Sequence, residues 1–587
     1  MKSLAFILLL TLQGLLVAAQ ADTWVATDAL GRKILPEEKG IKKDRYVGIF
    51  YFIWQGAHGY DRNDGTNSTE GVKDKKTTDT VSPYDISKML AKNPTNPEYG
   101  PIHAFHHWGE PYFGYYLSDD EWVIRKHGQM LGDAGVDVLI LDVTNASIYL
   151  PQVTKIVETF RKMQNEGATV PKIAFIVNSI PERTVSKLYE RIYKKELFKD
   201  FWFYWKGKPL LLCPPEALTA EMKTFFSSRQ SWAWTKGQKW FDDGKDKWPW
   251  LDHTPQSYGW HERKDQPEQI SVAVAEHPMS NIGRSFHNGK QPERKQPGKG
   301  LYFAEQWKRA LAVDPEFVFI TGWNEWIAMR FDNGASEYFL VNKIPKGETY
   351  FVDLYNDEYS RDAEPVKGAF NDNYYYQMVD NIRKFKGTRP APVYYKTNKI
   401  RVDGNFADWE NTEAVYADDR GDTFHRKHAG WGRIKEYSNT TGRNDIIETR
   451  VSSDNTNVYF YVKTAAQLTP WTDNDWMHLH VSVDGSALPG NAGFQFLING
   501  NSTKEGTTSI QVYRDNKWSS IGNISRNYQG DELELSVPKK LLGLKGKQFT
   551  LDFKWSDNSP LHNDGMNWLD KGDAAPNARF AYRYIKR

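Results

Sequence analysis

This 587-residue sequence predicts an α/β part followed by an all-β part, namely a (β/α)8 TIM-type barrel and then a β-sandwich. Over residues 45–390, short apolar runs alternate with segments of helical period, a pattern typical of parallel strands joined by helices. After Pro390-Ala391-Pro392 the helical period fades, and short alternating runs separated by turn residues follow. Many short strands at this spacing indicate a sandwich over residues 391–587.

The strands predicted in the first part are nearly continuous in apolar residues, as expected of strands buried on both faces. They cover residues 46–52, 136–141, 172–177, 208–212 and 317–320. The pattern is weaker between residues 225 and 288, so the strand count there stays open. In the all-β part, the clearest alternating runs cover residues 458–462, 477–483, 494–498 and 549–553.

Three helices can be placed between the strands of the first part. Ser118-Asp119-Asp120-Glu121 has the form of a capping box, in which the serine hydroxyl and the glutamate carboxylate satisfy free N–H groups at a helix start. Gly135 can end this helix in a left-handed conformation. Further helices are predicted from residue 302 to residue 313 and from Asp372 to Gly387.

The N-terminus predicts export. Lys2 precedes an apolar run over residues 4–18, and Ala19-Gln20-Ala21 offers the small residues at which a signal peptide is cleaved. We therefore expect residues 1–21 to be removed, residues 22–44 to form a lead segment, and the mature protein to be secreted or periplasmic. An N-terminal membrane anchor is the alternative, and no other stretch approaches the roughly 20 apolar residues of a membrane span. Cys213 is the single cysteine, so no internal disulfide can form, which favours a bacterial protein.

The composition excludes some partners and favours one class of ligand. Lys plus Arg number 76 and Asp plus Glu 74, without long blocks of either sign, so no nucleic-acid partner is expected. Phosphate-binding glycine motifs are missing from the sequence, and no cofactor is predicted. The 22 Trp, 31 Tyr and 30 Phe offer many flat apolar faces on which sugar rings can stack. Two well-packed domains would account for these aromatic residues equally well, and the oligomeric state is not predicted.

The sharpest motif is Trp323-Asn324-Glu325-Trp326, where a buried strand would end. Functional groups of a barrel lie at the carboxyl ends of its strands, which makes Glu325 a catalytic candidate. The flanking tryptophans can stack a sugar, and Asn324 can hydrogen-bond a hydroxyl, so all three are substrate-binding candidates. The alternative is a structural carboxylate paired with Arg330, with the tryptophans in the core.

A second carboxylate ends the predicted strand 136–141. Asp142 follows that strand directly, and Asn145 comes three residues later. Asp142 is therefore a catalytic candidate and Asn145 a substrate-binding candidate. Strand-end aspartates also cap loops or orient their neighbours, which is the structural alternative.

A strand followed by W-N-E-W resembles the motif of glycoside hydrolase family 99, the endo-α-mannosidase and endo-mannanase barrels, and of its relative family 71. The early strand ending in Tyr51-Phe52-Ile53-Trp54 is compatible with that group, and Trp54 is a further substrate-binding candidate. The resemblance covers roughly residues 45–390. It implies that Glu325 acts on the sugar as a base or nucleophile.

The chain departs from that family at a critical position. In family 99 the motif continues W-N-E-W-H-E-G-T and its two glutamates act as a pair, but Ala328 stands where the second would be. The proton donor must then come from elsewhere. Glu358, in the polar segment 350–365, is the candidate for it, and a salt-bridged loop organised around Arg361 is the alternative interpretation of that segment.

A polar and aromatic segment is predicted to form a sugar-binding rim. Its members are His106, His107, Trp108, Glu110 and Tyr115. Adjacent histidines can bind a metal, but their side chains usually diverge and no H-E-x-x-H spacing occurs, so no metal site is predicted.

Residues 400–409 read I-R-V-D-G-N-F-A-D-W. This resembles the opening of sandwiches similar to family 9 carbohydrate-binding modules, whose pattern is a strand, D-G and then D-W. The alternating run 458–462 supports that fold. Such modules also occur as structural appendages, so glycan binding by this part is one of two alternatives.

These features predict a secreted glycoside hydrolase that cleaves a polysaccharide or complex glycan with two carboxyl groups, one protonated and one ionised. The first alternative is a non-catalytic glycan-binding protein on the same scaffold, which the missing second glutamate favours. A metal-dependent esterase or deacetylase is a further alternative, although clustered His and Asp ligands cannot be assembled from the sequence.

Overall fold

The structure is a computed structural model. It describes residues 21–587 except residues 38, 57–84, 96, 98–104, 279, 333–347, 352–355, 369, 432–435, 484–491, 501–503 and 561–564. Residues 1–20 of the predicted signal peptide lie outside the described residues.

The helices are α1 (Ile86–Lys92), α2 (Glu121–Ala134), α3 (Leu150–Asn165), α4 (Pro181–Leu188), α5 (Ala220–Phe225), α6 (Leu301–Val313), α7 (Asn373–Lys386) and α8 (Asn567–Asp570). The strands up to residue 351 are β1 (Val25–Thr27), β2 (Lys33–Ile34), β3 (Tyr46–Tyr51), β4 (Phe105–His107), β5 (Val138–Asp142), β6 (Lys172–Ile176), β7 (Tyr204–Trp205), β8 (Lys208–Leu212), β9 (Ser227–Arg229), β10 (Tyr258–Trp260), β11 (Pro267–Ala273), β12 (Phe317–Thr321), β13 (Ile327–Asp332) and β14 (Thr349–Phe351).

The later strands are β15 (Val393–Tyr394), β16 (Ala414–Ala417), β17 (Arg426–His428), β18 (Tyr437–Asn439), β19 (Ile446–Ser453), β20 (Asn457–Thr464), β21 (His478–Val483), β22 (Phe496–Ile498), β23 (Thr507–Arg514), β24 (Lys517–Gln529), β25 (Glu532–Pro538), β26 (Phe549–Asp557), β27 (Asp573–Ala575) and β28 (Phe580–Lys586).

Seven consecutive strands of one sheet run parallel, in the order β11-β12-β3-β5-β6-β8-β9. The antiparallel strands β10 and β7 pair with β11 and β8. The five strands predicted from apolar runs are confirmed as β3, β5, β6, β8 and β12. β9, β10 and β11 fall in the region whose pattern was too weak to assign.

Residues 246–251 lie between the β9 edge of this sheet and strand β10 at its other edge, and they hydrogen-bond to both. The backbone N–H of Trp248 donates to the carbonyl oxygen of Gln230, just after β9, at 2.8 Å. The N–H of Asp246 donates to the carbonyl oxygen of Trp260 in β10, at 2.7 Å. The sheet is therefore curled, and this mixed α/β architecture is compatible with a TIM-type domain.

Helix α2 is the helix expected from the capping box, but its cap is Asp120 and not Ser118. The Asp120 carboxylate accepts from the N–H of Trp122 at 3.1 Å, whereas the Ser118 hydroxyl oxygen accepts from the N–H of Gln55 at 2.8 Å. A carboxylate suits this position because it also faces the positive end of the helix dipole. The helix ends as predicted, at Gly135 with φ 83°. Helices α6 and α7 confirm the other two predictions.

The second large sheet is antiparallel along its whole path, β16-β19-β20-β25-β24-β23-β22-β21-β26-β28-β1-β2. The four predicted alternating runs fall on β20, β21, β22 and β26. Strands β1 and β2 come from the predicted lead segment, and Val25 of β1 pairs with Ala581 of β28. Hydrogen bonds join these strands into one path, so a division into two sandwich layers stays a prediction.

Buried polar contacts and a shared hydrophobic core join the two parts of the chain. Arg426 Nη2 lies 2.7 Å from Asp120 Oδ2, and the hydroxyl oxygen of Tyr437 accepts from the N–H of Tyr115 at 2.8 Å. One core cluster contains apolar residues of both sheets. Cys213 belongs to that core, and burial raises the pKa of its thiol to about 12, as expected of an inert thiol. No helix within the described ranges has the length and apolar character to cross a bilayer.

Candidate functional site

Strand β12 ends directly before the Trp-Asn-Glu-Trp motif, and three of the four motif side chains are buried. Trp323 and Trp326 are 0% exposed and Asn324 is 1% exposed. The Glu325 side chain is 13% exposed. The motif therefore fixes the strand end with three side chains and presents one carboxyl group towards solvent.

Asn324 holds the end of β12 against the chain that follows β3. Its Oδ1 accepts from the N–H of Phe52 at 2.8 Å, and its Nδ2 donates to the carbonyl oxygen of Phe52 at 3.1 Å. The carbonyl oxygen of Asn324 accepts from Gln55 Nε2 at 2.8 Å. Because both ends of the amide bind backbone groups, Asn324 joins the two strand ends, and its contact with a sugar hydroxyl stays a prediction.

The tryptophans of the motif pack into the core instead of facing a ligand. The rings of Trp326 and Trp108 stack with their centroids 4.5 Å apart. Trp326 Nε1 donates to Glu364 at 2.5 Å, and Trp108 Nε1 donates to Asp362 at 3.0 Å. Trp323, Trp326 and Trp108 are all 0% exposed, which argues against the prediction that they stack on substrate.

Glu325 is paired with a buried cation. Arg361 Nη2 donates to Glu325 Oε2 at 2.9 Å, and the backbone N–H of Glu325 donates to Asp362 Oδ1 at 2.6 Å. A guanidinium this close favours the ionised form of a carboxyl group. Arg330, the partner in the structural alternative, donates to the hydroxyl of Thr349 at 2.9 Å.

Two tryptophans, Trp250 and Trp232, pack in sequence next to Arg361 of this pair. The Arg361 guanidinium lies 5.1 Å from the ring centre of Trp250, a cation–π distance. The rings of Trp250 and Trp232 have centroids 6.0 Å apart, and Trp232 is half-buried. Trp232 therefore offers a partly open aromatic face near the Glu325–Arg361 pair, from the region that the sequence left unassigned.

Asp142, Trp54 and Asn145 come together at the ends of β5 and β3. Asp142 is 2% exposed and accepts from Trp54 Nε1 at 2.8 Å and from the N–H of Thr144 at 2.9 Å. The Trp54 ring stacks on Tyr149 at 6.1 Å, and Asn145 donates to the Tyr149 hydroxyl. Each oxygen of Asp142 accepts a hydrogen bond from the protein, which suits a positioning group for Trp54 better than a proton donor.

Glu358, which the sequence suggested as proton donor, is buried and held by one loop. It is 4% exposed, and its carboxylate accepts from the N–H and the hydroxyl of Ser285 at 2.7 and 2.8 Å. Gln291 Nε2 donates to the same carboxylate at 2.7 Å. A buried carboxyl group that accepts three hydrogen bonds from one loop fixes that loop.

Asp362, in the same polar segment as Glu358, is a titratable group beside Glu325. It is 1% exposed, and burial raises the pKa of its carboxyl to about 7, despite the N–H of Glu325 and the charge of Arg361. The group therefore changes its charge near neutral pH directly behind the candidate site.

The two histidines of the predicted rim are buried. His107 lies between the ring edges of Tyr115 and Trp431, at 4.7 and 4.8 Å, and burial lowers its pKa to about 3. His106 is equally buried and contacts the ring of Phe351 at 6.1 Å. Their side chains diverge as expected of neighbours on a strand, and the predicted contact with sugar is not supported by this burial.

The other members of that segment have protein partners as well. Glu110 Oε1 lies 2.5 Å from Lys367 Nζ. The hydroxyl of Tyr115 donates to Asp85 at 3.3 Å, and Tyr115 is 1% exposed. His106, His107, Trp108 and Tyr115 are therefore buried, whereas Glu110 pairs with Lys367 near the surface.

The sequence did not single out a pair formed by His253, which precedes β10, and Glu276, which follows the neighbouring strand β11. Glu276 Oε2 lies 2.7 Å from His253 Nδ1 and accepts from Trp234 Nε1 at 2.9 Å. The Glu276 carboxylate is fully buried, whereas the His253 side chain is 42% exposed. The close approach of the Glu276 carboxylate raises the pKa of His253. The sequence did not indicate this pair because His253, Glu276 and the donor Trp234 all lie in the weakly patterned region.

The D-G and D-W pattern of the C-terminal part is explained by packing. Trp409 is 1% exposed, and its Nε1 donates to Glu534 at 3.0 Å. The N–H of Gly404 donates to the same carboxylate at 2.9 Å, and Asp408 accepts from the N–H of Arg401 at 3.1 Å. These residues fix a turn against β25.

No protein-family model and no curated protein matches the chain. Two solved structures similar to it are glycoside hydrolase family 99 (GH99) endo-α-mannosidases from Bacteroides thetaiotaomicron, one of them in complex with BIS-TRIS-propane. The complex has 17% sequence identity and a TM-score of 0.34 and covers 58% of this chain and 97% of that chain. The other has 16% identity and a TM-score of 0.35 and covers 58% and 98%. TM-scores this low add no argument for function, which has to come from the site itself.

Proposed function

We propose that this protein is a glycoside hydrolase that cleaves a polysaccharide or oligosaccharide, with a TIM-type barrel as its catalytic part. The observation that carries the proposal is the Glu325 carboxylate, partly exposed and 2.9 Å from Arg361, at the carboxyl end of a parallel strand. Catalytic groups of such folds lie at this end of the sheet. Glycosidic hydrolysis needs an ionised carboxylate, and an aromatic face such as Trp232 suits the apolar side of a sugar ring.

In the proposed reaction Glu325 is the ionised group, acting as base or nucleophile at the sugar carbon. The proton for the leaving oxygen comes from His253, whose raised pKa and 42% exposure suit a donor open to solvent. The buried Glu276 carboxylate stabilises the imidazolium before transfer and orients the ring afterwards. Asp142 orients Trp54 and does not take part in the proton transfer.

The test is the release of new reducing ends from a panel of polysaccharides. Glu325→Gln keeps the size of the side chain but removes its charge, and we expect activity to fall by about 10²–10⁴-fold. Glu293→Gln, at an exposed position, is the matched control and is expected to act like the unmodified protein. Full activity of Glu325→Gln would refute the site while leaving the enzyme class intact.

A non-catalytic glycan-binding protein is the second candidate function. It is favoured by the burial of the nearby carboxyl groups, since Asp142, Glu358, Asp362 and Glu364 are each at most 4% exposed. Such a protein would bind glycans in affinity electrophoresis without releasing reducing ends, and Glu325→Gln would change its binding and nothing else. An active protein that loses activity in Glu325→Gln excludes this candidate.

Export and a second glycan-binding part belong to the same proposal. The N-terminal pattern supports removal of residues 1–21, which mass measurement of the exported protein would test. Glycan binding by a sandwich formed by residues 391–587 is tested by binding of Glu325→Gln to polysaccharides after the first site has been blocked with a competing oligosaccharide.

A further inference from the structure

Three aspartates from distant parts of the sequence meet beside the C-terminal sheet. Asp418 and Asp422 lie in the loop after β16, and Asp573 is the first residue of β27. One carboxylate oxygen of each lies within 4.8 Å of those of the other two. Oxygens bound to one calcium ion at about 2.4 Å cannot lie more than about 4.8 Å apart, so the spacing suits a single ion.

Two carboxylate oxygens of this cluster are buried without a hydrogen-bond partner among the residues that the structure describes. Asp418 is 9% exposed, and while its Oδ1 accepts from the Tyr582 hydroxyl at 3.1 Å, its Oδ2 is one of these atoms. Asp422 Oδ1 is the other, and Asp422 Oδ2 accepts from Gln129 Nε2 at 3.0 Å. Burying such an oxygen is costly, and either protonation of the carboxyl group or a bound cation removes that cost.

Lys554 is a buried positive group beside this cluster. The buried Lys554 interacts electrostatically with four aspartates, namely Asp133, Asp418, Asp422 and Asp573. Its ammonium group is itself bound to the carbonyl oxygen of Pro576. Carboxylates this close repel one another in a buried setting, and a bound cation would relieve that repulsion.

We propose that Asp418, Asp422 and Asp573 bind a calcium ion. All three donors are hard oxygens, which calcium prefers, whereas zinc and copper favour nitrogen or sulfur ligands. The sequence predicted no metal site, because adjacent histidines diverge, no H-E-x-x-H spacing occurs and clustered His and Asp ligands could not be assembled from it. The site is independent of Glu325 and of the proposed reaction.

Calcium at this place links the two parts of the chain. Gln129, on helix α2, donates to Asp422 at 3.0 Å and to Asp419 at 3.1 Å. The ion therefore joins the loop after β16 and strand β27 directly, and helix α2 through Gln129. Its role is to stabilise this contact, in the way that a ligand bound only by the folded state raises stability.

The test uses the full chain, stripped with a chelator and titrated with calcium chloride by calorimetry. We expect calcium to bind with micromolar to millimolar affinity and to raise the midpoint of thermal unfolding. Asp422→Asn removes one ligand charge at a half-buried position, and we expect it to weaken binding at least about tenfold. Asp515→Asn, in an exposed turn, is the matched control and is expected to bind as before.

Absence of calcium binding by the unmodified chain up to about 10 mM overturns the proposal. Equal affinities of Asp422→Asn and the unmodified chain also overturn it, and tighter binding of magnesium overturns the choice of ion. Should Asp422→Asn not fold, Asp573→Glu, which keeps the charge and moves the oxygen, supplies the second variant. A shift of the calcium affinity in that variant supports the site, and an unchanged affinity contradicts it.

Discussion

Arg361 donates to the Glu325 carboxylate at 2.9 Å, and the two side chains differ in their access to solvent. The guanidinium is 1% exposed, whereas the carboxylate is 13% exposed. A cation held in a buried position is screened little by salt, so it acts strongly on the one motif group that faces outwards. The pair holds the Glu325 carboxyl group in a fixed direction at the end of β12.

Replacement of Arg361 by methionine removes the cation and keeps much of the side-chain volume. Glu325 is then expected to take up a proton more readily, so the acid limb of the pH–activity profile moves to higher pH. We expect kcat/KM at neutral pH to fall by about 10–100-fold. Arg361→Lys retains the charge and is expected to leave the limb nearer its original position. An acid limb at the same pH in Arg361→Met and the unmodified protein would show that the pair does not control Glu325.

Replacement of His253 by glutamine tests the proposed proton donor. The variant is expected to lose the alkaline limb of the pH–activity profile, with kcat lowered by about 10²-fold or more, because no imidazolium remains to protonate the leaving oxygen. His261→Gln is the matched control, since His261 also pairs with a carboxylate, Asp246, at 2.5 Å and is 44% exposed. The idea fails if both variants keep the unmodified profile.

Replacement of Asn324 by alanine is expected to destabilise the protein. It leaves the buried N–H and carbonyl oxygen of Phe52 without their partners, at a cost of about 1–3 kcal/mol for each group. The free energy of unfolding in urea should fall by roughly 2–4 kcal/mol. Asn165→Ala, at an exposed helix end, should change it by no more than about 0.5 kcal/mol. A loss of activity without a loss of stability would instead indicate that Asn324 contacts substrate.

Replacement of His107 by phenylalanine is expected to make the protein more resistant to acid. The folded pKa of about 3 lies below the unfolded value of about 6.5, so the unfolded state binds a proton that the native state does not. The stability of the unmodified protein therefore falls as pH drops from about 6.5 towards 3, by up to about 1.4 kcal/mol per pH unit from this group. His107→Phe keeps the aromatic contacts but has no group that takes up a proton on unfolding, so it avoids this loss of stability at low pH. Urea unfolding at several pH values, with the exposed His425→Phe as control, should show a shallower acid slope only in the buried variant.

The parallel strands and the positions of Glu325 and Asp142 could be predicted from the sequence, because apolar runs record locally which residues are buried. β3, β5 and β12 coincide with such runs, and both carboxylates stand at strand ends. Strands β9 to β11 could not be assigned from the sequence. The segment that contains them has few continuous apolar runs, and much of its backbone is irregular. The exposure of the motif residues could not be predicted either, because a tryptophan can line a cleft or pack in a core and its residue type does not distinguish the two.

The sequence by itself determined the two-part order of α/β and antiparallel β structure and the strand-end carboxylates, since both follow from neighbours along the chain. Only the tertiary structure decided which residues contact these carboxylates. Arg361 lies 36 residues from Glu325, Trp54 lies 88 residues from Asp142, and Gln129 lies 293 residues from Asp422. Contacts over such separations arise when elements pack in space, and packing also decides which of many polar side chains keep their access to solvent.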